Sequence, residues 1–169
     1  SDLISREAKT GEAGRLVNQV GLEASLLKRY PSEMSAGQLQ KASVARALAT
    51  RPRMVFLDEP TSALDASGRR QILDLLLTLQ AEMGLGYVLV SHDVRAIGAM
   101  AHNLVVMYLG QVVEEGPAAD VLKQPLHPYS RALLVASDLG SARRSGWRIR
   151  GELSRLPPGY EGCRLYGRC

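Results

Sequence analysis

The chain has 169 residues, of which 46% are hydrophobic, 22% charged and 5% aromatic, so it can bury the core of one domain. This composition excludes an intrinsically disordered chain, a collagen-like repeat and a fibrous coiled coil. The net charge of +4 is concentrated in residues 141–169, which carry seven Arg against two Glu, while the rest is nearly neutral. We therefore expect no nucleic-acid partner.

Membrane-spanning and secreted proteins are also disfavoured. The longest apolar stretches, such as Leu104 to Leu109, are far shorter than the roughly 20 residues that cross a bilayer. No charged-then-apolar leader opens the chain, and its two cysteines do not form a disulfide framework, so we expect a soluble chain in a reducing compartment. The first residue is Ser1 rather than Met, and we expect residues to precede it.

The first third of the chain has helical patterning. Apolar residues between Gly11 and Arg29 predict one or two short amphipathic helices that end before Pro31. A further helix is predicted from Ser35 to Thr50, because its apolar residues recur at helical spacing and an Arg-Pro pair follows it.

Strands and helices then alternate. The runs Met54–Leu57 and Tyr87–Val90 are apolar throughout, which predicts two strands buried on both faces. A long helix over Ala66–Met83 is predicted between them, a short one near Val94–Met100 follows, and a third apolar run starts at Leu104. This order predicts an α/β fold with a parallel sheet, whose functional residues follow the carboxyl ends of the strands.

The last part of the chain is less regular. An edge strand is predicted between Gly110 and Gly116, and short closing helices over Ala118–Lys123 and Tyr129–Ala136. Beyond Asp138 the periodicity stops, and the tail is rich in Arg, Gly and Pro. We expect this tail to pack loosely on the body or to be ordered by a ligand.

The first candidate site is Ser35-Ala36-Gly37-Gln38, at the start of a predicted helix. A helix amino terminus offers unpaired N–H groups to an anion, and a glycine lets a phosphate approach the backbone. The alternative is a capping box, in which Ser35 and Gln38 satisfy the donors of the helix itself. That alternative does not explain Gly37, which costs roughly 1 kcal/mol relative to Ala within a helix.

The second candidate site is the pair Asp58 and Glu59, directly after the first apolar strand. One carboxylate can ligate Mg²⁺, usually through water, and the other can orient or deprotonate an attacking water. The alternative is an acidic loop start, because Pro60 and the residues after it have turn character.

The third candidate is His92, between Ser91 and Asp93 after the second apolar strand. An imidazole at the same sheet edge as the acidic pair can donate a hydrogen bond to a terminal phosphate, although a lone histidine is more often a packed or capping residue. The other two histidines, His102 and His127, have no comparable placement and are expected to be structural.

In this order and spacing, these motifs resemble those of the ATP-binding cassette (ABC) ATPases of ABC transporters. The resemblance implies a partial P-loop NTPase-like core with a parallel sheet, a helical signature subdomain and an irregular C-terminal tail. It implies that Met34 to Gln38 is the signature loop, Ser62 to Asp65 the D-loop, Asp58 the Walker B aspartate that holds Mg²⁺, Glu59 the catalytic glutamate and His92 the switch histidine. Asp65 and the signature residues Ser35, Ala36, Gly37 and Gln38 are then expected to contact ATP.

Later segments resemble the oligopeptide, dipeptide and nickel importer branch. They are Gln111 to Pro117, His127 to Leu134, and a tail in which Gly162-Cys163 and Arg168-Cys169 occur. In some members of this branch further cysteines complete an iron–sulfur site. Cys163 and Cys169 can begin such a site but cannot complete it, so we expect a cluster only in a longer chain.

Two departures from the family pattern stand out. Met34 and Ala36 replace the usual Leu and Gly of the signature, and Ala36 costs roughly 1–2 kcal/mol only if its backbone is left-handed. The 169 residues contain no Gly-x-x-x-x-Gly-Lys-Ser/Thr loop, whose N–H groups and Lys cradle phosphates. We therefore expect this polypeptide by itself neither to bind ATP tightly nor to hydrolyse it.

The resemblance divides the chain into residues 1–50, a partial helical signature subdomain, 51–137, the Walker B and switch-histidine part of the core, and 138–169, the importer-type extension. It implies an ATP-binding subunit on the cytoplasmic face of the inner membrane. The implied partners are a second ATPase subunit, transmembrane permease subunits and, indirectly, a solute-binding protein. The alternative is an accessory subunit without a P-loop, which lends its signature motif to the ATP of a partner.

Overall fold

The computed structural model describes residues 6–137, 149, 151 and 160–169. The chain forms two compact units, Ser1–Val90 and Ser91–Cys169. The three parts expected from the sequence, residues 1–50, 51–137 and 138–169, are defined by their functional roles rather than by compactness. That division stays a prediction. Among the described helices, none combines the length and apolarity that crossing a bilayer requires.

Helices form the amino-terminal part of the first unit. They are α1 (Arg6–Gln19), two short 3-10 helices (Ala24–Lys28 and Pro31–Glu33) and α2 (Ala36–Leu48). The predicted helices are confirmed, although α1 begins before its apolar pattern does. Helix α1 packs on α2, and Val20, directly after α1, and Leu48 of α2 are buried in the core.

A parallel strand pair follows in the same unit. Strand β1 (Met54–Asp58) pairs with β2 (Gly86–Val90), and helix α3 (Ala66–Met83) connects them. The apolar stripe of α3 is buried, with Ile72, Leu76 and Leu79 each only 1% exposed. The predicted strands and helix, and their parallel arrangement, are confirmed.

The prediction that both strands are buried on both faces is wrong. Val55, Leu57 and Tyr87 are buried or half-buried on one face of the pair, and residues of α2 and α3 line a cavity with β1 and Tyr87. On the other face Phe56 is 75% exposed, and its cross-strand partner Val88 is exposed as well. The reason is that α2 and α3, whose residues line the cavity with β1 and Tyr87, lie on the buried face of the pair.

The second unit begins with α4 (Val94–Met100), as predicted. Strands β3 (Asn103–Tyr108) and β4 (Gln111–Pro117) form an antiparallel hairpin. Helices α5 (Ala118–Lys123) and α6 (Pro128–Ala136) follow and confirm the two closing helices.

The third apolar run does not join the parallel sheet as the alternation predicted. Its strand β3 pairs with β4 because the connection between them is only two residues long, and so short a connection can join antiparallel strands alone. Both turn residues have left-handed backbones, with φ of 48° at Leu109 and 77° at Gly110. Turns of this kind match the twist of a hairpin.

Residues 160–169 are docked more firmly than the expected loose extension. Leu165 is 2% exposed, and the Arg164 guanidinium donates to the carbonyl of Leu109 at the hairpin turn. The Arg168 guanidinium donates to the Tyr108 hydroxyl at 2.9 Å and to a backbone carbonyl at the same distance. The remaining tail features noted in the sequence, residues 141–148 and 152–159, lie outside the described residues.

Candidate functional site

The amino terminus of α2 carries a reciprocal cap. The Ser35 hydroxyl oxygen accepts the Gln38 N–H at 3.2 Å, and the Gln38 side-chain oxygen accepts the Ser35 N–H at 2.9 Å. The predicted capping box is confirmed. The first intrahelical bond runs from the Leu39 N–H to the Ser35 carbonyl, so the N–H groups of Ala36 and Gly37 precede it. Those two groups, and the hydroxyl proton of Ser35, can donate to an anion.

Gly37 has no structural explanation among the described residues. It lies within α2 and its φ is not positive, so its backbone does not require glycine. A Cβ at this position would meet no atom within 4 Å, so packing does not require glycine either. The open space beside its backbone fits the close approach of a ligand. Ala36 is also helical, so its replacement of the family glycine carries no backbone strain.

A cavity of about 370 Å³ lies beside this helix terminus, and two of its lining residues are basic. Lys41 lies one turn along α2 from Gly37, and Arg29 follows the first 3-10 helix. Glu23 also lines the cavity, so the side-chain charges there sum to a positive value. Positive charge beside a helix amino terminus adds to its attraction for a phosphate. The sequence analysis missed Lys41, although its i, i+4 spacing from Gly37 was a usable signal.

Asp58 and Glu59 lie at the carboxyl end of the parallel strand pair. Asp58 ends β1 opposite Val90 of β2, and its side chain is exposed. The Glu59 N–H donates to the Val90 carbonyl at 2.9 Å, which extends the pairing by one residue. An exposed carboxylate at this edge suits a hard cation, because Mg²⁺ prefers oxygen ligands.

The backbone of Glu59 is strained. Its φ is 45°, a left-handed conformation that costs a residue with a side chain roughly 1–2 kcal/mol. The bond to Val90 holds it from one side, and Ser62 donates its N–H at 3.3 Å and its hydroxyl at 3.1 Å to the Glu59 carbonyl. Strain of this kind concentrates at functional sites. No pattern in the sequence indicated it.

Asp65 has a structural role in this conformation. Its carboxylate accepts the Gly68 N–H at 2.7 Å and caps the amino terminus of α3. A Cβ at Gly68 would lie 3.0 Å from the same carboxylate oxygen, so the glycine gives the cap room to close. That Asp65 also contacts a nucleotide stays a prediction.

His92 belongs to the second unit, two residues beyond β2. Its neighbours organise the start of α4, where the Ser91 hydroxyl accepts the Asp93 N–H at 3.0 Å and the Asp93 carboxylate accepts the Arg95 N–H at 2.9 Å. The role of His92 stays a prediction. The structural role expected for His127 is confirmed, because its Nδ1 atom accepts the Tyr129 N–H and caps α6.

Within the first unit, the candidate residues fall into two places. Ser35, Gly37 and Gln38 line the cavity of about 370 Å³, whereas Asp58 lines another of about 160 Å³ between α2, α3 and β1. The signature residues therefore lie together in one cavity, whereas Asp58 of the acidic pair lines the other. This separation suits two groups that act on different ligand molecules.

Cys163 and Cys169 are exposed free thiols. Across residues 6–137, 149, 151 and 160–169, no three or more His, Cys, Asp or Glu side chains are grouped so as to hold a metal ion. That the two thiols begin an iron–sulfur site stays a prediction.

Two family models match the chain. Residues 4–62 match the model described as ABC transporter, and residues 113–169 match the model described as oligopeptide/dipeptide transporter, C-terminal region. The first match includes the signature residues and the acidic pair, and the second includes both cysteines.

Individual proteins agree with these models. The chain is 44% identical over 169 residues to the probable D,D-dipeptide transport ATP-binding protein DdpF of Escherichia coli, covering 98% of this chain and 54% of that protein. It is 39% identical over 168 residues to the di/tripeptide transport ATP-binding protein DppF of Pseudomonas aeruginosa, covering 98% and 52%. The chain thus spans about half the length of the curated relatives it matches.

A solved structure has the same fold. It is the dimeric, post-hydrolysis state of the ATP-binding cassette MJ0796 bound to ADP and Pi, which matches with a TM-score of 0.60 at 30% identity. The match covers 69% of this chain and 50% of that one. The chain therefore belongs to the ABC transporter family, with the partial α/β fold of its ATP-binding cassettes and the C-terminal region of the oligopeptide/dipeptide transporters.

Proposed function

We propose that these residues form the signature and Walker B portion of an ATP-binding subunit that couples ATP hydrolysis to the import of peptides or nickel. The names of the relatives support peptides, because they are di/tripeptide and D,D-dipeptide transport ATP-binding proteins. Nickel is supported only by the resemblance of the later segments to the peptide and nickel importer branch.

The observation that carries the proposal is the strained Glu59 beside the exposed Asp58 at one end of a parallel strand pair. Asp58 offers the hard oxygen that Mg²⁺ requires, and the bound ion would neutralise charge on the phosphates of ATP. Glu59 would accept a proton from the attacking water and orient it. Hydrogen bonds to Val90 and Ser62 hold the Glu59 backbone in this costly conformation, which fixes the point from which its side chain extends.

The signature residues would act on a second nucleotide. Ser35 would donate its hydroxyl proton, and Ala36 and Gly37 their N–H groups, to the γ-phosphate of an ATP held by a second ATPase subunit. The dimeric state of the solved cassette and its bound ADP and Pi support this arrangement. Gln38 would keep the loop in shape through its bond to Ser35, and His92 would donate a hydrogen bond to a terminal phosphate.

The remaining proposals concern assembly. We place the subunit on the cytoplasmic face of the inner membrane, bound to transmembrane permease subunits. A solute-binding protein would deliver the solute to those permease subunits. The ABC transporter match supports this placement. The 169-residue polypeptide by itself should neither bind ATP tightly nor hydrolyse it, because it contains no Gly-x-x-x-x-Gly-Lys-Ser/Thr loop.

A second candidate is an accessory subunit that lends its signature to the ATP of a partner. The signature residues line a cavity of their own, apart from Asp58, and this favours it enough to test. An antibody raised to these residues would report the mass of the native polypeptide. A species well above 18.3 kDa supports the ATPase subunit, and a species at 18.3 kDa supports the accessory subunit.

The catalytic proposal is tested with Glu59→Gln in the native cells. The matched control is Glu82→Gln, because Glu82 is an exposed glutamate on α3 and the substitution is the same. ATP hydrolysis by the assembly isolated with the antibody should fall at least 100-fold in the first variant and stay unchanged in the second. Hydrolysis that persists in Glu59→Gln would refute the role of Glu59.

A further inference from the structure

The turn that follows β1 is fastened by Ser62. The Glu59 carbonyl accepts two hydrogen bonds from this residue, from the N–H at 3.3 Å and from the hydroxyl at 3.1 Å. Any residue other than proline could supply the N–H, but the second donor comes from a short hydroxyl side chain. The hydroxyl is therefore the part of this contact that depends on the residue type.

The backbone that Ser62 holds is the strained one. Glu59 has a φ of 45°, and Pro60 follows it, so two preferences act against its conformation. A residue with a side chain avoids the left-handed region, and a residue before proline prefers an extended backbone. The cost of such a conformation and the net gain from one hydrogen bond are of the same order. Removing one bond should therefore let the Glu59 backbone relax in a measurable fraction of the chains.

The rest of the turn does not depend on the Ser62 hydroxyl. The Leu64 N–H donates to the Thr61 carbonyl at 3.2 Å, and the Asp65 carboxylate caps α3. Thr61 is 2% exposed and belongs to the packed interior, whereas Ser62 beside it is exposed. Packing therefore explains Thr61, and the bond to Glu59 is what distinguishes the side chain of Ser62.

We infer that Ser62 is a positioning residue for Glu59. The resemblance to the ABC ATPases names the segment Ser62 to Asp65 as a unit and gives the Ser62 hydroxyl no role of its own. The Glu59 N–H is bonded to Val90 and its carbonyl to Ser62, so the peptide groups on both sides of Glu59 are held. The Cα–Cβ bond of Glu59 then has one direction, which sets where its carboxylate meets the attacking water.

The inference rests on the proposed function, in which Glu59 is the base. In that reaction a proton passes from water to the Glu59 carboxylate, the water oxygen bonds to the γ-phosphorus of ATP, and the bond from this phosphorus to the ADP oxygen breaks. The Ser62 hydroxyl donates to a protein carbonyl and not to a phosphate, so its loss should slow this step without weakening the binding of ATP.

The kinetic test uses the assembly isolated with the antibody from cells that carry each variant. Ser62→Ala should lower kcat about three- to tenfold, and KM for ATP should stay within about twofold of its original value. Ser62→Thr should keep kcat, because threonine supplies the same hydroxyl. The matched control is Ser137→Ala, because the Ser137 hydroxyl also donates to the carbonyl three residues before it, that of Leu134 at 2.9 Å. This control should leave both constants unchanged.

Amide hydrogen exchange of the 169-residue chain gives a readout that needs no hydrolysis. The Glu59 N–H is bonded to the Val90 carbonyl, so it exchanges with solvent when this backbone relaxes. Its exchange should be about three- to tenfold faster in Ser62→Ala. Ser62→Thr and Ser137→Ala should exchange as the unchanged chain does. An unchanged kcat or an unchanged exchange rate in Ser62→Ala would overturn the inference. A raised KM with an unchanged kcat, or equal losses in Ser62→Ala and Ser62→Thr, would overturn it too.

Glu59→Gln separates the inference from the proposed function. Adding Ser62→Ala to this variant should lower kcat no further, because a positioning residue acts through the carboxylate that Glu59→Gln removes. Loss of hydrolysis in Glu59→Gln, with both readouts unchanged in Ser62→Ala, would refute the role of Ser62 alone. Normal hydrolysis in Glu59→Gln, with faster exchange in Ser62→Ala, would refute the catalytic proposal and leave the hold of Ser62 on the backbone intact.

Discussion

Replacing Gly37 with Ala should make the chain more stable and its function weaker. The backbone of Gly37 is already helical, and a Cβ there meets no atom within 4 Å. Alanine reduces the conformational freedom of the unfolded chain without a clash, which is worth roughly 0.5–1 kcal/mol. For a chain of this size Tm should then rise by about 1–4 °C.

Gly84→Ala is the control for this prediction. A Cβ at Gly84 also meets no atom within 4 Å, but the residue ends α3 with a φ of 63°. Alanine in that left-handed conformation costs roughly 1–2 kcal/mol, so this variant should unfold at a lower temperature. The two variants are compared by thermal and urea unfolding, followed by far-UV circular dichroism. Their two sites differ in backbone conformation rather than in packing.

The functional half of the prediction uses the isolated assembly. The methyl group of Gly37→Ala would occupy the space through which a phosphate approaches the backbone, so ATP hydrolysis should fall at least tenfold. A Gly37→Ala chain that is less stable would show that the fold itself needs the glycine. Unchanged hydrolysis in the stabilised variant would refute the close approach of a ligand.

Three further predictions concern stability. Burial alone would raise the pKa of Glu114, but the backbone N–H groups of Leu126 and His127, at 2.7 and 3.0 Å, together with the Ser130 side chain and the charge of His127 outweigh burial and hold the pKa below its ordinary value. Glu114→Gln should therefore destabilise the chain at pH 7, and urea unfolding should show this difference disappear as pH falls through the lowered pKa. Burial raises the pKa of Tyr87 to about 12, so the phenol holds its proton in the folded chain at pH values where the unfolded chain releases it. The free energy of unfolding should therefore fall between about pH 10 and 12. It should fall less steeply in Tyr87→Phe, and unfolding measured across that pH range checks this. Leu165→Ala should cost about 2–3 kcal/mol in urea unfolding, because Leu165 is 2% exposed, while Tyr166→Ala at an 81% exposed residue should cost little.

Local signals predicted the elements best where a cap and a terminator flank a periodic stretch. Helix α3 matches its prediction at both ends, because Asp65 caps its start and Gly84 ends it in a left-handed conformation. The start of α2 was predicted in the same way, because the Ser35 cap was visible as a motif, whereas the helix ends at Leu48, two residues before the predicted Thr50. The position of Asp58 and Glu59 at the carboxyl end of β1 was also predicted, because the apolar run that forms the strand stops directly before them, and their functional roles stay predictions.

The features that were missed depend on contacts distant in sequence. An apolar strand sequence predicts burial on both faces but does not identify the residues that cover them. No local signal therefore predicted the exposure of Phe56. The pairing of β3 with β4 depends on the backbone of Leu109 and Gly110, and Leu-Gly is not a typical hairpin pair. The docking of Leu165 and Arg168 was hidden because the tail has no periodicity.

The uncovered strand pair also makes this polypeptide prone to aggregate when it is produced alone. Among the described residues β1 and β2 pair only with each other, so the outer backbone groups of both strands remain a template for other chains. The segment Met54 to Leu57 is short, apolar, uncharged and free of proline, which is the composition of aggregation-prone segments. Aggregation of the polypeptide should therefore increase steeply with its concentration.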